Sequence, residues 1–270
     1  MARHALEQNR EPREITSLSL EWRRADQPRR RHPIIASDLG YEAEGRAMVG
    51  RLALPAGEGP VPGVLVAHGA SGLDEYCRGR PEALAELGYA ALAIDYHGGG
   101  RVYTDPAELT ARLEAIGSDP DRLRALGRAG LDALLAQARV DPSRIAAVGY
   151  CYGAVVVMEL ARTGADIKAV VGFHPGLTSA RPQDSGNIVG QVLMCVGADD
   201  PIVPIEQRAA FEQEMRDGGV AWQMNVYGGA KHRFTDPNAG AAGAPALEYH
   251  QPAAERSWRA MIDLFEEVLA

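Results

Sequence analysis

Apolar residues in this chain fall into short runs separated by stretches of helical spacing, and that alternation sets the expected architecture. The runs Val64-Leu65-Val66-Ala67, Ala91-Leu92-Ala93-Ile94-Asp95-Tyr96 and Ile145-Ala146-Ala147-Val148 read as buried strands. Further strands are expected at Ala169, from Gln191 to Gly197 and from Trp222 to Tyr227. Between them, Arg80 to Leu87 and Pro106 to Arg139 read as helical. The second is broken at Asp119-Pro120 and carries Leu109, Leu113 and Ile116 on one face. A closing helix bears Trp258, Met261, Ile262, Phe265, Val268 and Leu269 as a core stripe. Ahead of all this, Tyr41 to Leu54 predicts a hairpin turning near Glu44-Gly45, and Pro55 to Pro62 a connector. The β-α alternation predicts an α/β fold of three layers, a mostly parallel central sheet with helices on both faces.

Charge divides the chain. Residues 1–32 hold eight arginines against five acids, while the whole carries a formal charge of -8. A basic N-terminal arm is therefore expected as a separate module over 1–32, with one domain over 33–270. Within the arm, Ile15 to Trp22 alternates weakly and reads as an added strand, with disorder, intersubunit packing and contact with the acidic body as alternatives. The acidic body argues against nucleic acid or an anionic membrane as partner. No G-x-x-x-x-G-K-[ST] loop is present, and no strand runs into a G-x-G-x-x-G turn, so a phosphate-bearing cofactor is not indicated. Three cysteines are too few for a disulfide framework, Cys195 reading as core and Cys77 as the start of a helix. With no apolar run of membrane length, the cytoplasm is the expected compartment. A homo-oligomer is left open.

The candidate chemistry starts at Cys151. In Gly149-Tyr150-Cys151-Tyr152-Gly153 a thiol occupies a strand-to-helix turn flanked by glycines, the G-x-S-x-G elbow with sulfur in place of oxygen. The first N–H groups of the following helix and its dipole favour the thiolate. In this architecture an acid and then a histidine follow the nucleophile. Asp200, in Gly197-Ala198-Asp199-Asp200-Pro201 beyond a strand, is the expected acid; Asp199 should project the opposite way. His232, in a glycine-containing loop beyond the next strand, is the expected base. The N–H groups of Tyr152 and Ala70 are the expected oxyanion donors. His97-Gly98-Gly99-Gly100 competes for the second donor, but the loop His68 to Gly72 follows the strand that precedes the first helix and is preferred. His174, ending a strand at the same rim, is expected to line the pocket.

These segments, with Leu87 to Asp95 and His232-Arg233-Phe234, resemble the dienelactone hydrolase family of the α/β-hydrolases from about Pro62 to the C-terminus. The resemblance implies a triad of Cys151, Asp200 and His232, and hydrolysis of a small ester or lactone through an acyl-cysteine, without metal or organic cofactor. Two departures stand out. The family's founding enzymes carry a glutamate that holds the resting cysteine's proton, and Gly69 occupies the matching position. They also carry a carboxylate-binding arginine four residues beyond the histidine, where this chain has Asp236. A charged dienelactone is therefore disfavoured. His68, Gly69, His97 and His174 are expected around the substrate, with Arg112 as a match to another family arginine. A binding protein of weak turnover and an acyltransferase on the same triad are the alternative readings.

Overall fold

At the turn expected near Glu44-Gly45 the sheet begins. Both residues carry positive φ, 51° and 68°, which matches the twist of a two-residue hairpin. They join β1 (Ile34–Ala43) to β2 (Arg46–Pro55), with Ala43 opposite Arg46. The computed structural model describes residues 31–240 and 243–270. The arm expected over 1–32 lies, apart from its last two residues, outside the described residues.

Six more strands complete one sheet: β3 (Val61–Ala67), β4 (Ala90–Ile94), β5 (Val140–Tyr150), β6 (Ala169–Phe173), β7 (Gln191–Gly197) and β8 (Trp222–Tyr227). Their order is β1-β2-β4-β3-β5-β6-β7-β8. Pairing is antiparallel at β1–β2 and β2–β4, and parallel from β4 across to β8. Burial on both faces explains why β3, β4, β6 and β7 are continuous apolar runs.

Period-two alternation then sends neighbouring residues to opposite layers. From β3, Leu65 and Ala67 join a core with helices α3 (Pro120–Leu135), α4 (Tyr152–Arg162) and α5 (Ile205–Asp217). Val64 and Val66 instead pack with α1 (Glu75–Ala85) and α6 (Gln251–Val268). The closing stripe is used as expected, with Met261, Ile262 and Phe265 buried. The three layers of the expected fold are present, and they are those of an α/β-hydrolase. One further helix, α2 (Pro106–Gly117), is held more loosely, with Ile116 as its buried residue.

Several boundaries differ from the sequence reading: β1 starts at Ile34, ahead of Tyr41, and β5 at Val140, ahead of Ile145. Helix α1 starts at Glu75, ahead of Arg80, because Asp74 caps it by accepting from Cys77 N–H at 2.9 Å, and Pro81 sits inside it. The long helical stretch breaks where expected, Asp119 capping α3, but it ends at Leu135 before Arg139. Because β3 and β5 to β8 are parallel, the loops after them gather at one rim. His68, Cys151, His174, Asp200 and His232 all lie on those loops.

Candidate active site

Cys151 joins β5 to α4 with φ 54° and ψ -117°, a strained conformation for a residue with a side chain. Its backbone is fixed on both sides: its N–H donates to Phe173 O at 3.0 Å, and its carbonyl accepts from Ala154 N–H at 3.1 Å. The glycines on either side are required by close approach. A Cβ at Gly153 would stand 2.3 Å from the carbonyl oxygens of Ala67 and His68, and one at Gly149 would stand 2.3 Å from Ala154 backbone. Gly153→Ala is therefore expected to push the elbow off β3 and cost about 1–3 kcal/mol of stability, readable as a lower urea midpoint with altered Cys151 reactivity.

Of the two adjacent aspartates, Asp200 turns inward and Asp199 outward. The Asp200 carboxylate accepts from Ile202 N–H at 2.9 Å and from His232 Nδ1–H at 2.7 Å. That bond fixes the His232 tautomer and directs Nε2 away from the acid. The His232 backbone is held in a short parallel bridge beside Leu247, its N–H donating to Ala246 O at 3.2 Å. Nε2 is buried without an aligned hydrogen bond, as is common for such groups before substrate tightens the geometry. Cys151 is the group it faces electrostatically. Burial works against a proton on His232, yet the charge on Cys151 and the bond to Asp200 outweigh it and lift the imidazole to about 10. Burial likewise opposes the Cys151 thiolate, but His232 and the N–H groups of Ala70 and Tyr152 draw the thiol below its ordinary value. Both shifts point the same way, toward a thiolate beside an imidazolium.

The Ala70 and Tyr152 amides thus converge on the sulfur, and the loop carrying Ala70 is held from behind. Tyr96 O–H lies 2.9 Å from the carbonyls of both His68 and Gly69. His68 Nδ1–H donates to Gly69 O at 2.7 Å, and its ring stacks on Tyr96 at 3.8 Å between centroids. His97 Nε2–H donates to Ala70 O at 2.8 Å, while its Nδ1 accepts from Arg112 at 3.4 Å. Arg112 also donates to the carbonyls of Tyr96 and His97, at 3.0 and 3.1 Å. His68, His97 and Arg112 were expected around the substrate. They are corrected to a supporting role: none of the three is among the residues that line the cavity, and each has a polar atom bonded to a backbone carbonyl of the neighbouring loops. Burial keeps both His68 and His97 below the ordinary imidazole value, opposite in direction to His232.

The glycines at 98–100 have a separate use. The amides of Val49, His97, Gly98 and Gly100 all donate to the Asp95 carboxylate, at 2.7–3.1 Å. This loop is an anion nest filled by its own aspartate.

Cys151 opens into a cavity of about 880 Å³. Gly69, Ala70, Tyr152, His174 and His232 line it, as does Cys77, which the sequence placed only at a helix start. His174 is buried with φ 38°, its Nε2 2.8 Å from Thr235 Oγ1 and its ring 5.2 Å from that of His232. Tyr76 O–H donates to the same Thr235 hydroxyl at 2.7 Å. Tyr76 and Thr235 escaped the sequence reading because no motif marks them, while Tyr150 and Arg233 fall within quoted motifs but were given no role. At Gly69 a Cβ would meet nothing nearer than 3.9 Å, so the glycine is not forced by crowding. Asp236 is buried and binds Arg233 Nε at 2.7 Å. Among the described residues no cluster of His, Cys, Asp and Glu suits a metal ion, and no helix is long and apolar enough to cross a membrane.

A parallel sheet with such an elbow after β5, an acid after β7 and a histidine after β8 defines an α/β-hydrolase. Within that class the chain belongs to the dienelactone hydrolase family, whose model matches residues 48–269, and it is a hydrolase of the ester- and lactone-cleaving kind. The solved structure of m3DLH is similar, 44% identical with a TM-score of 0.85 over 88% of this chain and 99% of that one. A dienelactone hydrolase-like promiscuous phosphotriesterase from metagenomic libraries is 41% identical, with a TM-score of 0.84 over the same shares, 88% and 99%. Among named relatives, the probable 2-oxo-3-(5-oxofuran-2-ylidene)propanoate lactonase of a Bradyrhizobium species is 27% identical over 73% of this chain and 82% of its own length.

Proposed function

We propose that the protein hydrolyses a neutral carboxylic ester or lactone through an acyl-thioester at Cys151. The observation that carries this reading is geometric: Cys151 at a strained elbow, on the same rim as a His232 bonded to Asp200 at 2.7 Å, and the directions of the two shifts, sulfur down and imidazole up, agree with it. The Cys151 thiolate attacks the carbonyl carbon, and the oxyanion is held by the N–H groups of Ala70 and Tyr152. On collapse the C–O bond to the leaving group breaks, and the imidazolium of His232 gives that oxygen its proton. His232, now neutral, takes a proton from water, hydroxide attacks the thioester, and the acid leaves as the thiolate re-forms. Asp200 holds the imidazole in the tautomer that presents Nε2 to sulfur and substrate.

Gly69 removes the family's proton-holding glutamate, which leaves His232 as the side chain that attends the resting sulfur. Asp236 neutralises Arg233 where the family has a carboxylate-binding arginine, which favours a neutral substrate. The 41% identical metagenomic protein, described as a promiscuous phosphotriesterase, favours a second substrate type, a neutral phosphotriester attacked at phosphorus by the same thiolate.

Iodoacetamide tests the activation. An ordinary thiol, with a pKa near 8.5, is about 1% ionised at pH 6.5. Cys151 should react there at least ~10-fold faster than Cys77 or Cys195, whose thiols burial pushes up. Its rate should fall only at more acid pH, as the lowered Cys151 pKa is crossed. Ester turnover should instead fall on the alkaline side near pH 10, where His232 loses its proton. Equal reactivity of the three cysteines at pH 6.5 would sink the proposed mechanism in favour of a binding role.

A further inference from the structure

We propose that the limb of the cavity running along α4 is a binding site for a neutral, linear acyl chain of medium length, with Cys151 at its mouth. The proposal deepens the hydrolase reading above and rests on Cys151 as the acylated atom.

Three residues of α4 face this cavity, Tyr152, Val155 and Glu159. They stand at i, i+3 and i+7, one stripe of the helix, and the stripe leads away from the elbow. At 1.5 Å per residue, Glu159 lies roughly 12 Å along the axis from Cys151. Leu109 and Leu113 of α2 and Leu123 of α3 supply the facing wall. Leu109 and Leu113 are one helical turn apart and only half-buried, so they present apolar surface to the cavity and pack only partly against the core. An extended chain advances about 1.2 Å per bond, so this limb accommodates roughly eight carbons beyond the thioester. A small lactone ring would leave most of it unfilled.

The far end explains why the chain should be neutral. The Glu159 carboxylate closes it, and its oxygens are fully engaged: Oε1 accepts from Arg162 at 3.0 Å and Ser179 Oγ–H at 2.6 Å, Oε2 from Arg124 at 2.9 Å. Arg124 in turn pairs with Asp184 at 2.7 Å. At the mouth, Arg233 is held by Asp74 and Asp236, each at 2.7 Å. Each of these arginines is already paired with carboxylate, so none is left to recognise a second carboxylate on the substrate. An uncharged tail against the leucine wall is the occupant that this lining solvates best, each buried methylene contributing roughly three- to fourfold in affinity.

The test separates the acyl site from the chemistry. With Cys151→Ala protein, calorimetric titration reads binding of octanamide and acetamide without turnover, and octanamide should bind at least ~100-fold more tightly. With the parent protein, kcat/KM for p-nitrophenyl esters should climb from acetate to about octanoate and fall beyond dodecanoate. Leu113→Trp, at a half-buried position, should lower the octanoate-to-acetate ratio at least ~10-fold by filling the limb. Equal, weak binding of both amides would overturn the acyl site even if esters are hydrolysed, as would an ester profile that is flat or falls from acetate onward. Tight octanamide binding without Cys151-dependent hydrolysis would support the site and defeat the hydrolase reading.

Discussion

Cys151→Ala is expected to bring p-nitrophenyl ester hydrolysis to within a small factor of the uncatalysed rate, a loss in kcat on the order of 10⁴–10⁶. His232→Ala should cost about as much, because nucleophile and base act as one unit and removing either disables both. Asp200→Asn should cost less, on the order of 10²–10⁴. The asparagine amide keeps a partner for Nδ1 but can stabilise the tautomer that turns the Nε2 proton toward sulfur, leaving no base there. The geometry motivates this ranking: the 2.7 Å bond from His232 to Asp200 is buried, so little water is at hand to replace it. Initial rates on p-nitrophenyl butyrate, with circular dichroism to confirm folding, measure all three. Near-parental rates in Cys151→Ala would eliminate the thiol mechanism.

Much of this was legible from the sequence, for a physical reason that also sets its limit. In a parallel sheet each strand end delivers its loop to the same rim, so a residue's distance along the chain translates directly into a place at the site. Cys151, Asp200 and His232 could be named because each follows a run that reads as a strand, β5 and β7 as continuous apolar runs. The choice of Asp200 over Asp199 rested on the alternation of side chains along an extended chain. The hairpin was legible because Gly45 accepts positive φ; that Glu44 adopts it too is seen only in the structure.

What failed depended on side-chain direction. His68 and His97 sit in loops at the rim and Arg112 on α2, and nothing in their spacing says that the two histidines bond carbonyls of the Ala70 loop while Arg112 bonds those of Tyr96 and His97. The run His97-Gly98-Gly99-Gly100 resembles an oxyanion loop until Asp95 is seen filling it. Helix α1 was read from Arg80, whereas the Asp74 cap sets its start at Glu75. Leu109 and Leu113 share a helical stripe with Ile116, yet the stripe divides, Ile116 entering the core and the leucines facing the cavity. Periodicity identifies an apolar face and leaves open whether protein or ligand covers it.

The largest stability effect is expected at Arg162, which no sequence pattern marks. This guanidinium is 2% exposed and donates to Glu214 at 2.9 and 2.6 Å and to Glu159 at 3.0 Å. Burial already raises Glu214 above the usual carboxylate range, with Arg162 working against the rise. In Arg162→Met a side chain of similar length fills the space, but Glu214 is left as a buried charge without its partner. Breaking a buried pair in this way costs about 3–5 kcal/mol. For a domain of this size that corresponds to a melting point lower by roughly 10 °C. The sign of its pH dependence follows from linkage. A carboxylate with a raised folded pKa binds more protons folded than unfolded, so its penalty is full at neutral pH and is relieved as pH falls through the raised value. Arg162→Met should therefore lose more stability at pH 8 than at pH 5, and the added change Glu214→Gln should recover much of the loss. Urea denaturation of the parent, the single variant and the double variant at both pH values measures this. A defect independent of pH and unrescued by Glu214→Gln would mean that Arg162 acts by packing its stem, with its charge secondary. Because Glu159 closes the cavity while accepting from Arg162, the same variant should also loosen the far end of the limb along α4.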